Sequence, residues 1–143
     1  IGDLLHVRRH LARAALERLS TLPNQEAFTS IDEAVNAFAE YVAKGASIEE
    51  IAIADVDVIG ALLKATGSPV YSLCLNPIVS VVSRSPSLRE VIYRAPEENL
   101  MGYRLLQAWL KHPNPTIIES LVDELARRDR ETLHHLAHPQ ERS

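Results

Sequence analysis

A chain of 143 residues with 46% hydrophobic side chains is the size of one ordinary domain, and it can bury a core without disulfides or metals. Its net charge of −4 comes from 15 basic and 19 acidic residues that are mixed along the chain, which gives no basic stripe of the kind that nucleic-acid binding requires. No apolar run reaches the roughly 20 residues that span a bilayer, and the N-terminus lacks a signal-peptide pattern, so we expect a cytoplasmic protein without membrane contact.

The first two helices are predicted from periodicity and capping patterns. Apolar residues recur at three- and four-residue spacings over 4–22, which predicts a long first helix ended by Pro23–Asn24. The segment 30–33, Ser-Ile-Asp-Glu, has the capping-box pattern and predicts the start of a second helix. Gly45 suits the position just after that helix, where the backbone turns left-handed.

The middle of the chain predicts two more helices. A second capping box at 47–50 begins a helix that runs to Thr66, with Gly67 as its stop signal. The next helix begins at Pro69, because proline is tolerated in the first turn. Pro77 lies within its apolar stretch and removes a backbone donor, so we expect a kink or a break just before it.

The last third predicts three helices. A short helix over 87–94 and a longer one over 96–111 lie between prolines, and Asn114-Pro115 predicts the start of a final helix that runs to His138. The segment 51–58 has strand-like residues, but its flanks are helix signals and the sequence lacks hairpin dipeptides. We therefore predict an all-α, antiparallel bundle of about six to seven helices in a single domain.

The single cysteine and the single methionine bear on the cellular compartment and on the extent of the polypeptide. Cys74 is the only cysteine, which excludes an internal disulfide and favours a reducing compartment. Because it lies in the apolar run 70–75, we expect it to be a small buried side chain. The chain begins at Ile1 and its only methionine is Met101, so we expect it to be part of a longer polypeptide.

Two charges fall on predicted core-facing stripes. Arg8 lies on the apolar stripe of the first helix and Asp55 on that of the third, whereas Asp57 falls on a solvated face. A buried unpaired charge costs several kcal/mol, so each needs a partner. One explanation is a structural ion pair or snorkelling at the core edge. The other is a polar pocket in which Arg8 holds an anionic ligand group.

The six histidines do not predict a metal centre. His6 and His10 are four residues apart on one helical face, a spacing that can chelate a metal, but no third ligand is near, so we interpret them as a surface pair. His134 and His135 are adjacent and point in different directions from a helix. The sequence also lacks metalloprotease, phosphate-loop and nucleophile-elbow motifs, so we expect no catalysis, no cofactor and no metal.

The segment 55–76 resembles the central signature of the effector domains in FadR-type regulators of the GntR family of bacterial transcription factors. In those domains an Asp-bearing helix ends in a Gly-Asn/Ser-Pro turn, here 67–69, and a Leu/Ile-rich helix carries an asparagine, here Asn76. Residues 4–8 resemble the opening of the first effector-domain helix, whose arginine faces the ligand cavity. With weaker matches through Tyr103 and the last helix, the resemblance covers nearly the whole chain.

The resemblance also implies a ligand class. Many members of the family hold a divalent metal with an Asp and three His. Here Asp55 matches the first ligand, but Ile59 and Tyr103 occupy the second and third positions, and 126–128 offers no His at the fourth. A branch with tyrosine at the third position lacks the metal and binds long-chain acyl-CoA. The first expected ligand is therefore an acyl-CoA or another amphipathic organic acid.

The resemblance implies that the whole chain is a sensor domain. Residues 1–143 are expected to sense a small-molecule effector and to form a homodimer, while an N-terminal winged helix-turn-helix in the full-length protein binds operator DNA. The predicted ligand-binding residues are Arg8, Asp55, Asn76, Tyr103 and Arg104. Two alternatives stay open, namely a helical dimerisation module with a filled core and a metal-dependent sensor of a small carboxylate.

Overall fold

The computed structural model describes residues 2–22 and 25–141, and within these ranges it contains seven α-helices, two 3-10 turns and no strand. This confirms the predicted all-α bundle. The helices are α1 (Gly2–Leu19), α2 (Gln25–Ala43), α3 (Ile48–Ala65), α4 (Pro69–Arg84), α5 (Pro86–Ile92), α6 (Pro96–Lys111) and α7 (Ile118–Ala137).

Several helix ends follow the local signals. Ser47 Oγ accepts a hydrogen bond from the Glu50 amide, and the Glu50 carboxylate accepts one from the Ser47 amide, so the predicted capping box of α3 is confirmed. Gly45 and Gly67 both have positive φ, +66° and +72°, just after α2 and α3. The amide of Ala46, the residue after Gly45, donates a hydrogen bond to the carbonyl of Tyr41. This bond closes α2 with a Schellman motif.

Other predicted boundaries were wrong. Ser30 does not begin α2 but is an exposed residue within it, since the helix is already formed at Gln25. Nothing in the residues just before Ser30 breaks a helix, so its capping pattern stays unused. The helix α1 ends at Leu19 instead of residue 22. The hydroxyls of Ser20 and Thr21 donate hydrogen bonds to carbonyls of the last helical turn. The expected stop at Pro23–Asn24 lies outside the described residues.

The C-terminal helices lie close to their predicted positions. The helix α6 has the predicted bounds, and α5 begins and ends one or two residues early, which is within the usual fraying of helix ends. The Asn114 side chain accepts a hydrogen bond from the Thr116 amide, but it caps a 3-10 turn, Pro115–Ile117, before α7 starts. Trp109 is buried near this turn and donates its indole N–H to the Asn114 carbonyl at 3.0 Å.

The helix α4 is apolar on two faces. It runs through Pro77 as one helix, so the expected break does not occur, and the alternative of a kink stays a prediction. One face packs inward against the bundle, while the other is open to solvent and includes Leu73, whose exposed fraction is 65%. Cys74 lies on this outer face and is exposed, which corrects its expected burial. The outward residues, called the α4 stripe below, are Val70, Leu73, Cys74, Pro77 and Val81.

The central core lies where α2 packs on α3 and on α6. Phe38 is fully buried there on α2, and its ring meets that of Tyr103 on α6 edge-to-face, with 5.3 Å between centroids. Two ion pairs, Arg8 with Asp129 and Arg13 with Glu119, show that α1 and α7 run antiparallel. Among the described helices, none has the length and hydrophobicity needed to cross a bilayer.

Candidate functional site

Asp55 is the meeting point of three helices. It is buried on α3, and its Oδ2 accepts a hydrogen bond from Tyr93 Oη at 2.6 Å. Its Oδ1 accepts a hydrogen bond from Tyr103 Oη on α6. Tyr93 lies directly after α5, so the carboxylate joins α3 to both α5 and α6. Hydroxyl groups thus satisfy the two carboxylate oxygens.

The tyrosines act as proton donors in this arrangement. Burial raises the pKa of Tyr93 and of Tyr103 well above the ordinary value of 10, and the negative charge of Asp55 raises both further. Arg8 is close enough to lower both values slightly. Each hydroxyl therefore keeps its proton at neutral pH and holds the carboxylate as a donor.

Arg8 forms an ion pair, but its partner is Asp129 on α7. Asp129 is buried, and it forms a second ion pair with Arg9, whose Nε lies 3.0 Å from Oδ2 without hydrogen-bond geometry. Burial raises the pKa of Asp129, against the opposing attraction of the two arginines. The side chains of Arg8 and Arg9 have exposed fractions of 25% and 28%, so both reach from the edge of the bundle into its interior.

A small cavity opens beside Arg8 and Asp55. Its polar lining consists of Arg8, Asp55 and Tyr93, and its volume is about 20 Å³. That volume accommodates about one water molecule. The apolar walls come from α1, α3, α4 and Ile92 of α5, with the inner face of α4 forming one side. They consist of Leu4, Leu5, Val56, Ile59, Leu75, Ile78, Val79, Val82 and Ile92.

The structure brings together three of the five predicted site residues. Arg8 and Asp55 line the cavity, and Tyr103 bonds to Asp55. Asn76 and Arg104 do not line it. Asn76 is exposed on α4, about 100° round the helix from the inward Leu75. Arg104 is also exposed, and its Nη1 donates to Asn36 Oδ1 on α2 at 3.0 Å.

Sequence reasoning missed Tyr93 and Asp129. A signal for Asp129 was present, because it shares the apolar stripe of α7 with Ile118 and Val122, just as Arg8 shares the stripe of α1. Tyr93 gave no such signal. It follows the last helical residue of a seven-residue helix, so periodicity does not predict which way it faces.

The residues present do not fit the metal that members of the resembled family hold. Both oxygens of Asp55 already accept tyrosine hydroxyls, and Ile59 and Tyr103 offer no imidazole. Within the described part of the chain, no three histidine, cysteine or acidic side chains are grouped closely enough for a metal ion. His6 and His10 are exposed neighbours on α1, with their Nε2 atoms 3.0 Å apart.

No protein-family model matches the chain, and neither a curated protein nor a solved structure matches it. The resemblance to the GntR effector domains therefore stays at the level of the residues that carry it.

Tyr93 and Tyr103 predict a loss of stability at alkaline pH. Their pKa values in the folded protein lie above 10, so the folded state keeps two protons that the unfolded chain releases. Their stabilisation is present below pH 10 and is lost as the pH rises above it, by up to about 2.7 kcal/mol per pH unit for two groups. Urea unfolding between pH 9 and 11.5 measures this slope. Tyr93→Phe and Tyr103→Phe should each remove about half of it, and unchanged slopes in both variants would contradict the assignment.

Proposed function

We propose that this chain is the effector-binding domain of a GntR-family transcription regulator of the FadR type. In that role it senses a small anionic or acyl ligand and controls DNA binding by a separate winged helix-turn-helix of the same longer polypeptide. The observation that carries the proposal is that Arg8 and Asp55, on core-facing positions of two helices, border one apolar-walled cavity. The family resemblance assigns the ligand to the same residues.

The chemistry of the cavity favours an amphipathic anion. A guanidinium has five N–H donors, and the hydrogen bond from Arg8 to Asp129 uses one of them, which leaves others for a carboxylate or a thioester carbonyl. The remaining walls are aliphatic and suit an acyl chain. Asp55 lines the same cavity, and its two oxygens accept the tyrosine hydroxyls, so the anionic group of a ligand has to bind on the Arg8 side.

Ligand entry requires α4 to move. A cavity of about 20 Å³ is far smaller than the 300 Å³ or more that ligand sites usually offer. The helix α4 forms one wall and has only Ile78 among its buried residues, so its displacement widens the cavity with little loss of core and moves the α4 stripe on its other side. The ligand then favours the arrangement with α4 displaced, because it binds that arrangement more tightly than the closed one. Since Arg8 is part of α1, the same binding event also acts on the first helix.

Arg8→Ala tests the proposal directly. Palmitoyl-CoA should bind the wild-type chain and raise its melting temperature, and the variant should bind at least about tenfold more weakly, because a charge-assisted hydrogen bond contributes about 1.5–3 kcal/mol. Native mass spectrometry and thermal shift measure both. Arg13→Ala is the matched control, since Arg13 is also on α1 but pairs with the exposed Glu119.

Two results would refute parts of this proposal. If palmitoyl-CoA, palmitate and small carboxylates all fail to bind the wild-type chain, the sensor function is wrong. If a folded Arg8→Ala variant binds as tightly as Arg13→Ala, the anion is held elsewhere. Circular dichroism separates a folded variant from an unfolded one.

A second candidate is a dimerisation module without a ligand. The small cavity volume favours it, because a core that admits one water molecule is nearly filled. Both candidates share the proposed homodimer, and the α4 stripe supports it. The stripe presents apolar side chains on a helix without acidic residues and with one basic residue, Arg84, so two copies meet there without charge repulsion.

The proposed dimer predicts a crosslink through Cys74. A bis-maleimide should give a covalent dimer of the wild-type chain and none of Cys74→Ser, because Cys74 is the only cysteine and is exposed within the stripe. Leu73→Glu should give a monomer in analytical ultracentrifugation, since it introduces like charges into an apolar contact. Ile53→Glu, on α3 with the same 65% exposure, is the control and should stay dimeric. A wild-type chain that is monomeric at all concentrations would refute the dimer.

A further inference from the structure

His6 and His10 occupy one outer face of α1, away from the apolar-walled cavity. Both side chains are exposed, and their rings meet edge-to-face with 4.4 Å between centroids. The Nε2 atoms lie 3.0 Å apart. Asp3 lies one turn earlier on the same side of the helix and is also exposed. Nothing in the proposed effector function uses these residues.

The two nitrogens are close enough to share one ion. Metal–nitrogen bonds of about 2.0–2.1 Å place two cis ligands of one ion about 2.9–3.3 Å apart, and the Nε2 atoms are 3.0 Å apart. The preference for a metal follows from ligand chemistry, because imidazole nitrogen binds copper(II) most tightly among the divalent first-row ions, followed by nickel(II).

We propose that His6 and His10 form a surface chelate for copper(II) or nickel(II), with water in the remaining coordination positions. The ion replaces the contact between the two ring nitrogens and links one turn of α1 to the next. It binds without any third protein ligand. Because that turn also carries Arg8 and Arg9, the chelate stabilises the part of α1 that is joined to α7 through Asp129.

A second pair with the same spacing serves as a comparison. His134 and His138 also lie four residues apart, but their rings are stacked at 29°. In both pairs one Nδ1 has a polar contact, His138 with the carbonyl oxygen of His134 at 2.9 Å and His6 with Arg9 Nη2 at 3.5 Å, so the pairs differ in how their rings are oriented. This pair is at the end of α7, where the helix stops. The two pairs therefore differ in geometry while they share the sequence spacing.

Copper titration of the chain purified without a histidine tag tests the proposal. Electron paramagnetic resonance should show one tetragonal copper(II) per chain with two nitrogen ligands, and unfolding temperatures should rise on addition of copper(II). His6→Ala and His10→Ala should each weaken binding at least about tenfold, whereas His138→Ala should leave it unchanged. Zinc(II) should bind more weakly than copper(II).

Three outcomes would overturn it. The first is wild-type copper binding by a folded His10→Ala variant, and the second is binding lost in His138→Ala instead. The third is a zinc affinity equal to or greater than that for copper. Both histidines are exposed, so their replacement should leave the helical content intact, and circular dichroism verifies this.

Discussion

Replacement of Phe38 with alanine should lower the free energy of unfolding by about 3–5 kcal/mol, the range for deletion of a buried phenylalanine ring. Phe38 is fully buried on α2, among the largest enclosed side chains of the described core. Its ring also packs against Tyr103, which donates to Asp55. The cavity left behind would therefore weaken both the core and the support of the candidate site.

Phe28→Ala is the matched control, because the chain has two phenylalanines and Phe28 is only partly buried at the margin of the same core. Its loss should cost less than half as much. Chemical denaturation of the two variants measures the difference, with near-ultraviolet circular dichroism reporting on the packing of Tyr103. Equal destabilisation by both substitutions would show that the core is not centred on Phe38.

Asp129→Ala should lower the free energy of unfolding by about 2–3 kcal/mol. The removal of one partner from a buried ion pair costs about 3–5 kcal/mol, and the partial exposure of Arg8 and Arg9 reduces that cost through solvent screening. Two guanidinium groups lose their shared carboxylate, and α1 loses its tie to α7. The urea midpoint should fall without a large change in the denaturant slope.

The same two helices offer a control pair. Glu119→Ala removes the partner of Arg13, and that ion pair is exposed, so its loss should cost about 0–1 kcal/mol. A double-mutant cycle between Arg8 and Asp129 isolates their coupling from other effects of the substitutions. If Asp129→Ala and Glu119→Ala cost the same, the buried position of Asp129 has no energetic consequence.

Helix ends were predicted best where they depend on backbone conformation and on contacts between residues close in sequence. Gly67 and Gly45 adopt positive φ, which other residues avoid, so a glycine after an apolar periodic stretch marks an end by its own conformation. Ser47 and Glu50 cap α3 with atoms only three residues apart. The same pattern at 30–33 failed, because a capping box matters only if the helix does not already continue through it.

Predictions that depended on orientation were less successful. Cys74 lies in an apolar run, and the run indicated burial, but α4 has two apolar faces and the bundle covers only one of them. Asn76 and Arg104 each follow an inward-facing residue in sequence. One step along a helix turns a side chain by about 100°, and that rotation places both on the outer surface.

The sequence by itself determined the all-α fold, most helix boundaries and the placement of Arg8 and Asp55 toward the interior, because each follows from contacts within a few residues. The tertiary structure decided which partners satisfy the two charges. Arg8 meets Asp129 from 121 positions away, and Asp55 meets Tyr93 and Tyr103 from 38 and 48 positions away. Helical periodicity fixes the face on which a charge lies, whereas the partner across the core depends on how the helices pack.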